Sequence, residues 1–411
     1  MITVTVFIIV YLGMMLGRLP GLKVDRSAIA LLGAIALVAS KEISGQQAIG
    51  FIGADTIALL FGLMIISSQF TLSGMYGEVT SRLVSLDVGP RTLLALLIAV
   101  SGAMAALLTN DVVALAMAPL IVQLCVQRRL NPVPYLLGMA CSVNAGSTAT
   151  LIGSPQNILI GQHMELSFGG FMVYTTVPAI LALGVIWLAL SFLYRDNWTL
   201  AEAKQGKHAR AYPYDRPESV KGLIVTAVVV GLFLFTNWPR DLVALAAGGL
   251  LLMNAHFQSR KMLDHVDWQL LILFMGLFIV NGAFQQTHLP QQWVDGLQSH
   301  GIDFQHPATL FISTVILSDL VSNVPAVMLL LPYAKDAIAG PAMALAAGMA
   351  SNLIIIGSIA NIIVVDTASR YGMTISFREF ARTGVPVTLV SLLVAAGWLW
   401  LIAASGISGL L

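Results

Sequence analysis

Asp111 and Asp319 stand inside apolar sequence where charge is expensive. The first follows Thr109-Asn110 in LLTNDVVALAMAPL (107–120), and the second lies about one turn before SNVP at 322–325. A carboxylate in a hydrophobic helix is by default a proton or cation site. Each also has a plainer reading, Asp111 as a cap of the helix that starts beside it and Asp319 as a solvated vestibule group. Four polar interruptions carry the remaining candidates: Thr109-Asn110-Asp111, Gly153-Ser154-Pro155-Gln156-Asn157, Ser322-Asn323-Val324-Pro325 and Gly357-Ser358-Ile359-Ala360-Asn361. At the second of these, Ser154 is placed to cap a helix and Pro155 to take its first position, where a missing N–H costs nothing. A helix starting there turns free N–H groups and the positive end of its dipole toward an anion or a polarised oxygen. The helix ending before it offers carbonyls, which suit a cation. Isolated small residues such as Gly146 and Ser147 read instead as close helix packing.

The elements that hold these residues are apolar throughout. The 411-residue chain is 57% hydrophobic and only 10% charged, with mean hydropathy +0.86, where a soluble domain carries roughly 25% charged residues. The reading is an all-α polytopic membrane protein. In hydrocarbon each unpaired backbone polar group costs several kcal/mol, so a broken helix persists only where protein, water or a ligand completes it. The first apolar segment runs into GRLPGLKVDR and lacks a small-residue cleavage site, so it reads as a retained span. A net charge of +1 gives no reason to expect a nucleic-acid partner.

The chain resembles itself. FGLMII at 61–66, LLTNDVVALAMAPL, IGSPQNILI at 152–160, SFGGF at 167–171 and Pro178 recur in order as MGLFIV at 275–280, LVSNVPAVMLLLP at 320–332, IGSIANIIV at 356–364, SFREF at 376–380 and Pro386. Two repeats follow, 1–194 and 220–411, joined by a polar linker at 195–219. Ten crossing helices are expected, at 2–18, 27–41, 54–72, 133–165, 172–194, 220–237, 241–256, 267–287, 342–370 and 384–405. Of these, 133–165 and 342–370 are discontinuous. The segments 92–127 and 306–340 are expected to be re-entrant helical hairpins.

Positive residues in short loops stay cytoplasmic. With both hairpins re-entrant, every Lys and Arg except Lys41, Arg240 and Lys335 falls on one side, Arg18 and the linker included. That places the linker in the cytoplasm, both termini outside, and the protein in the cell (inner) membrane. The two repeats then have inverted topology, the build of many secondary transporters.

Other side chains carry weaker signals. Cys125 and Cys141 read as small apolar residues or as thiophilic ligands. The seven histidines lack zinc-ligand spacing. Asp366 and Arg370 are spaced for an ion pair. No Walker A sequence or HExxH occurs, so neither ATP-driven work nor a metalloenzyme is expected, and no cofactor beyond a coupling ion is expected.

The TND and SNVPAV tips, the IGSPQN break and the closing NIIVVDTASRYGMTISFREFARTGVP resemble the ion transporter superfamily over nearly the whole chain. They are most similar to its arsenite permease and sodium–proton antiporter branch, with citrate and dicarboxylate carriers as relatives. The dicarboxylate carriers have a Ser-Asn-Thr tip where this sequence has TND and SNV, and the antiporters an aspartate where it has Ser322. The resemblance implies that tips and breaks together form substrate and ion sites: Thr109, Asn110, Asp111, Gly153, Ser154 and Asn157 from one repeat, Ser322, Asn323, Gly357, Ser358 and Asn361 from the other. It also implies a homodimer through scaffold helices. The expected function is secondary transport of a small anion or oxyanion, arsenite-like or a carboxylate, coupled to H+ or Na+. Asp111 and Asp319 are the coupling carboxylates in this reading. A Na+/H+ antiporter is the alternative; an embedded enzyme and a passive channel come after it.

Overall fold

The computed structural model describes residues 1–17, 23–199 and 212–405. Arg18, the linker's centre at 200–211, and 406–411 lie outside the described residues. In the first half the chain forms α1 (Ile2–Leu16), α2 (Arg26–Ala39), α3 (Gly45–Phe51), α4 (Ala54–Leu72), α5 (Met75–Ser85), α6 (Pro90–Leu107), α7 (Asn110–Gln127), α8 (Pro132–Ser147), α9 (Pro155–His163) and α10 (Phe168–Leu193). The second half forms α11 (Arg216–Phe235), α12 (Arg240–Leu252), α13 (Ser259–Leu263), α14 (Trp268–Gln285), α15 (Leu289–Ser299), α16 (Pro307–Val321), α17 (Asn323–Leu330), α18 (Ala339–Ala350), α19 (Ile359–Arg370) and α20 (Phe377–Ala404). Seven of the described helices are long and apolar enough to cross a membrane: α4, α6, α7, α10, α11, α14 and α20.

Local sequence explains most helix starts. Proline fills the first turn of α6, α8, α9, α11, α15 and α16, where it sacrifices no hydrogen bond. Side chains cap others: Asp25 accepts from Ala28 N–H at 2.8 Å and Ser376 from Glu379 N–H at 3.1 Å. Both expected discontinuous helices are broken, the first between α8 and α9, the second between α18 and α19. Both expected hairpins turn over one or two residues, α6 into α7 and α16 into α17. The helices α3, α5, α13 and α15 were not expected. They are short, and α5 and α15 carry polar residues on one side, so they leave no hydropathy signal of a span.

The helix pairings of the two halves correspond. Helix α4 packs on α12 as α14 packs on α2, α6 packs on α8 as α16 packs on α18, and α7 meets α19 as α17 meets α9. Exchanging the halves maps each pairing onto the other, as a pseudo-two-fold relation requires. Glycine makes the closest approaches. A Cβ on Gly62 would fall 2.4 Å from the Ala244 carbonyl carbon, and one on Gly276 2.6 Å from that of Ala30. These glycines occupy matching places in FGLMII and MGLFIV, so the sequence match records one packing requirement used twice. Backbone cannot yield as a side-chain tip can, and Gly62→Ala is expected to cost about 1–3 kcal/mol. Gly231→Ala, where a Cβ meets nothing within 4 Å, should be neutral or stabilising through helix propensity. Thermal unfolding of the two variants in detergent checks the contrast.

Candidate functional site

The two breaks are closed by the same device. Asn157 sits on α9 and its Nδ2 donates to Ser147 O at 3.0 Å and Thr150 O at 2.9 Å. Asn361 sits on α19 and its Nδ2 donates to Ser351 O at 2.7 Å and Ile354 O at 3.2 Å. In each case one amide reaches back ten and seven residues to carbonyls that the helix end leaves free, which is how broken backbone survives away from water. Neighbouring helices complete the job: the hydroxyls of Thr175 and Thr176 on α10 donate to Ala149 O at 3.1 and 3.3 Å. On the other side Gly384 of α20 lets the Asn352 carbonyl approach to 2.2 Å of where a Cβ would stand.

The serines before the two restarting helices differ. Ser358 accepts from Ala360 N–H at 3.2 Å and caps α19. Ser154 takes the N-cap position of α9, but its side chain makes no capping bond, and its buried Oγ has no partner among the described residues. Ser154 thus holds the expected N-cap position without the expected side-chain bond, and the Asn157 N–H turns to the Ser154 carbonyl at 3.1 Å instead. At the second tip Ser322 adopts φ 79° and ψ 160°, a region almost reserved for glycine that costs a side-chain-bearing residue about 1–3 kcal/mol. Such strain persists where surrounding contacts fix it. Asn323 Nδ2 donates to Ser351 Oγ at 2.8 Å, and the Tyr11 hydroxyl donates toward Asn281 Oδ1 at 2.9 Å and the Pro325 carbonyl at 3.2 Å. The first tip is tied to its own break, with Asn110 N–H donating to Gly153 O at 3.1 Å.

Asn144 ties the polar groups of the two halves together. Asn144, near the end of α8, donates to Asn352 Oδ1 and Asn361 Oδ1, each at 3.0 Å, and its Oδ1 accepts from Ser358 Oγ at 2.9 Å and Asn110 Nδ2 at 3.3 Å. Beside this network lies a small cavity of about 40 Å³. First-turn or capping residues of four helices line it: Asn110 and Asp111 of α7, Pro155 and Gln156 of α9, Ser322 to Pro325 at α17, and Ser358 and Ile359 at α19. Arg26 completes the polar wall, and its buried Nε finds no hydrogen-bond partner among the described residues. Asp111 faces the Ala360 N–H in the first turn of α19, while its buried Oδ1 has no partner among the described residues. Four positive helix ends and a guanidinium therefore surround one carboxylate.

Residues 7–343 match the citrate transporter family. The chain belongs to that family. It is similar to an uncharacterized transporter of Mycobacterium tuberculosis, 28% identical over 97% of this chain and 98% of the relative. It is also similar to the silicon efflux transporter LSI3 of Oryza sativa subsp. japonica, 26% identical over 90% of this chain and 91% of that protein. Its fold is similar to the crystal structure of the Alcanivorax borkumensis YdaH transporter, with a TM-score of 0.63 and 14% identity over 98% of both chains. This citrate transporter family protein is thus a multi-pass membrane transporter of the superfamily that the tips and breaks resemble.

Within this family member the sequence-derived residues separate into groups. Asn110, Asp111, Ser322, Asn323 and Ser358 line the cavity. Asn157 and Asn361 close the breaks behind it, and Gly153 packs with its Cα facing the Ser147 carbonyl, where a Cβ would come within 2.2 Å. Thr109 is buried at the start of α7 and does not line the cavity. Asp319 does not line it either: it packs on Gly357, where a Cβ would meet its Oδ1 at 3.1 Å. Asp366 and Arg370 form the expected ion pair at 2.7 Å, both more than half exposed, so it contributes little. Asn144, Arg26 and Tyr11 were missed. Asn144 carries a signal, an asparagine in the mostly apolar MACSVNAG; Arg26 carries none beyond its charge between two apolar segments.

Proposed function

We propose that the transporter moves a small anion or oxyanion by alternating access, driven by H+ or Na+, with Asp111 as the coupling carboxylate. The observation that supports this most is the convergence of four helix N-termini, two from each half, on one cavity with Arg26 and Asp111. With Asp111 neutralised by a proton or paired with a cation, the remaining charges favour an anion. A space of about 40 Å³ holds little more than a water or two, so a carboxylate substrate requires the hairpins to move apart, as alternating access does. Coupling therefore acts on geometry as well as on charge. The reading includes no bond-making chemistry and no cofactor. It keeps the linker cytoplasmic and the halves inverted, on the charge distribution alone.

The ion-sized cavity and the Asp111 Oδ1, without a partner among the described residues, favour one second reading, a Na+/H+ antiporter. Uptake into proteoliposomes, with arsenite, antimonite, citrate, succinate, sulfate and sodium each tested at two pH values, separates the two. Saturable, counter-gradient uptake of one anion is expected; sodium–proton exchange with no anion requirement overturns the proposal. Arg26→Gln sharpens the test. Losing a charge-assisted contact should weaken anion affinity by about tenfold or more, whereas an antiporter losing a cation beside its site should bind sodium as well or better.

A further inference from the structure

A second cavity, of about 320 Å³, lies apart from the tips. Its walls come from both helices of the second hairpin, from α1 and α14, and from the short helix α15; Phe7, Phe284, Trp293, Phe304, Leu317 and Leu329 are among them. Aromatic rings line one side, with Phe7 stacked on Phe284 at 3.8 Å and Phe284 tilted against Trp293 at 5.6 Å. Water has no reason to fill a space with so few polar partners, and a dry void of this size would forfeit packing on every wall. An apolar occupant would restore that packing.

The cavity communicates with the lipid-facing surface. Ile316 lines it and is 56% exposed, on the same side of α16 as Ile312 at 60% and Leu320 at 48%. In a multi-pass membrane protein that surface is bathed in acyl chains, so the cavity continues the interface with the bilayer. Trp293, half exposed, stands at its edge on α15, whose other side presents Gln291, Gln292 and Asp295. A polar-sided helix with a tryptophan at the apolar boundary is the arrangement of an interfacial element. None of the described lining residues is Lys, Arg or His, and only Ser313 and Tyr333 among them carry side-chain hydroxyls, so the carboxylate of a free fatty acid would find no cationic partner inside.

We infer that this cavity is a lipid site holding one acyl chain of a bilayer phospholipid, inserted between the second hairpin and α1–α14 with its headgroup outside, beyond α15. The chain supplies the packing that the walls lack, and the headgroup stays in the interface. The site is independent of what the transporter carries.

Full-length protein in phosphatidylcholine vesicles containing a small fraction of phosphatidylcholine with a diazirine midway along one acyl chain tests this, with labelled peptides mapped by mass spectrometry. Labelling of α15–α17 wall residues is expected to exceed that of the lipid-facing stretch of α20 around Leu389 and Leu393, 55% and 73% exposed, by about fivefold, because a pocketed chain is surrounded by its walls. Leu329→Trp, or Ile316→Trp at the mouth should the first not fold, fills the space and is expected to bring wall labelling down to the α20 level. Leu393→Trp should leave wall labelling unchanged. Wall labelling no higher than that of α20, or insensitive to both filling variants, overturns the lipid site. Equal, filling-sensitive labelling by a diazirine fatty acid overturns the assignment to phospholipid.

Discussion

Asp111→Asn is expected to abolish gradient-driven uptake while leaving a folded protein. The substitution keeps the shape of the side chain and its reach to the Ala360 N–H, and removes only the charge that a proton or sodium ion would neutralise. If that charge couples the gradient to hairpin movement, uptake driven by an imposed pH or sodium gradient should fall by about a hundredfold or more, the loss of the ion's differential affinity for the two states. Binding of the anion need not fall, because the amide leaves Arg26 and the four helix ends in place and removes a like charge from the cavity. The variant thus separates coupling from recognition. Retained proton or sodium dependence in reconstituted Asp111→Asn would remove Asp111 from the coupling role. The matching change at Asp319 is expected to act differently, since that carboxyl packs behind Gly357 outside the cavity; its loss should disturb the second break more than the coupling.

Asn144→Ala is expected to be the most damaging single truncation in the polar network. It removes two donated and two accepted hydrogen bonds and strips partners from Asn110, Asn352, Ser358 and Asn361 together. Buried groups left without partners cost more than the bonds themselves contributed. Interhelical bonds in membrane proteins average below 1 kcal/mol, so we expect a total near 2–4 kcal/mol, with loss of transport. A double-mutant cycle with Asn361→Ala, read by thermal unfolding in detergent, measures the shared part: strict additivity would mean that the two amides act independently. Asn361→Ala alone also frees the carbonyls of Ser351 and Ile354, so the cycle should show the second substitution costing less once the first is made.

Much of the architecture was readable because it is written in neighbouring residues. The helix start at Pro155 and the turns at TND and SNVP are local events, set by capping, proline and the absence of apolar continuity. The duplication was visible because the same packing demands recur, as the glycines of FGLMII and MGLFIV show. Even the two break-closing asparagines were marked by their matching positions, although their geometry belongs to the backbone they repair rather than to the cavity they adjoin. The short helices α5 and α15 escaped because a two- or three-turn segment with mixed polarity carries no span signal.

The sequence by itself determined that this is an all-helical membrane protein with two related halves, where its helices break, and which polar residues those breaks contain. Hydropathy and capping act over a few residues, and that range is enough for such conclusions. Only the tertiary structure decided that the four helix starts share one cavity, that Asn144 and Arg26 belong beside them, and that Asp319 does not line it. The reason is physical. Helix α8 is buried on every side, and a helix that is apolar all round has no stripe to announce which face meets which neighbour. The bonds from Asn144 to Asn352 and Asn361 span more than two hundred residues, a distance over which no local pattern carries information.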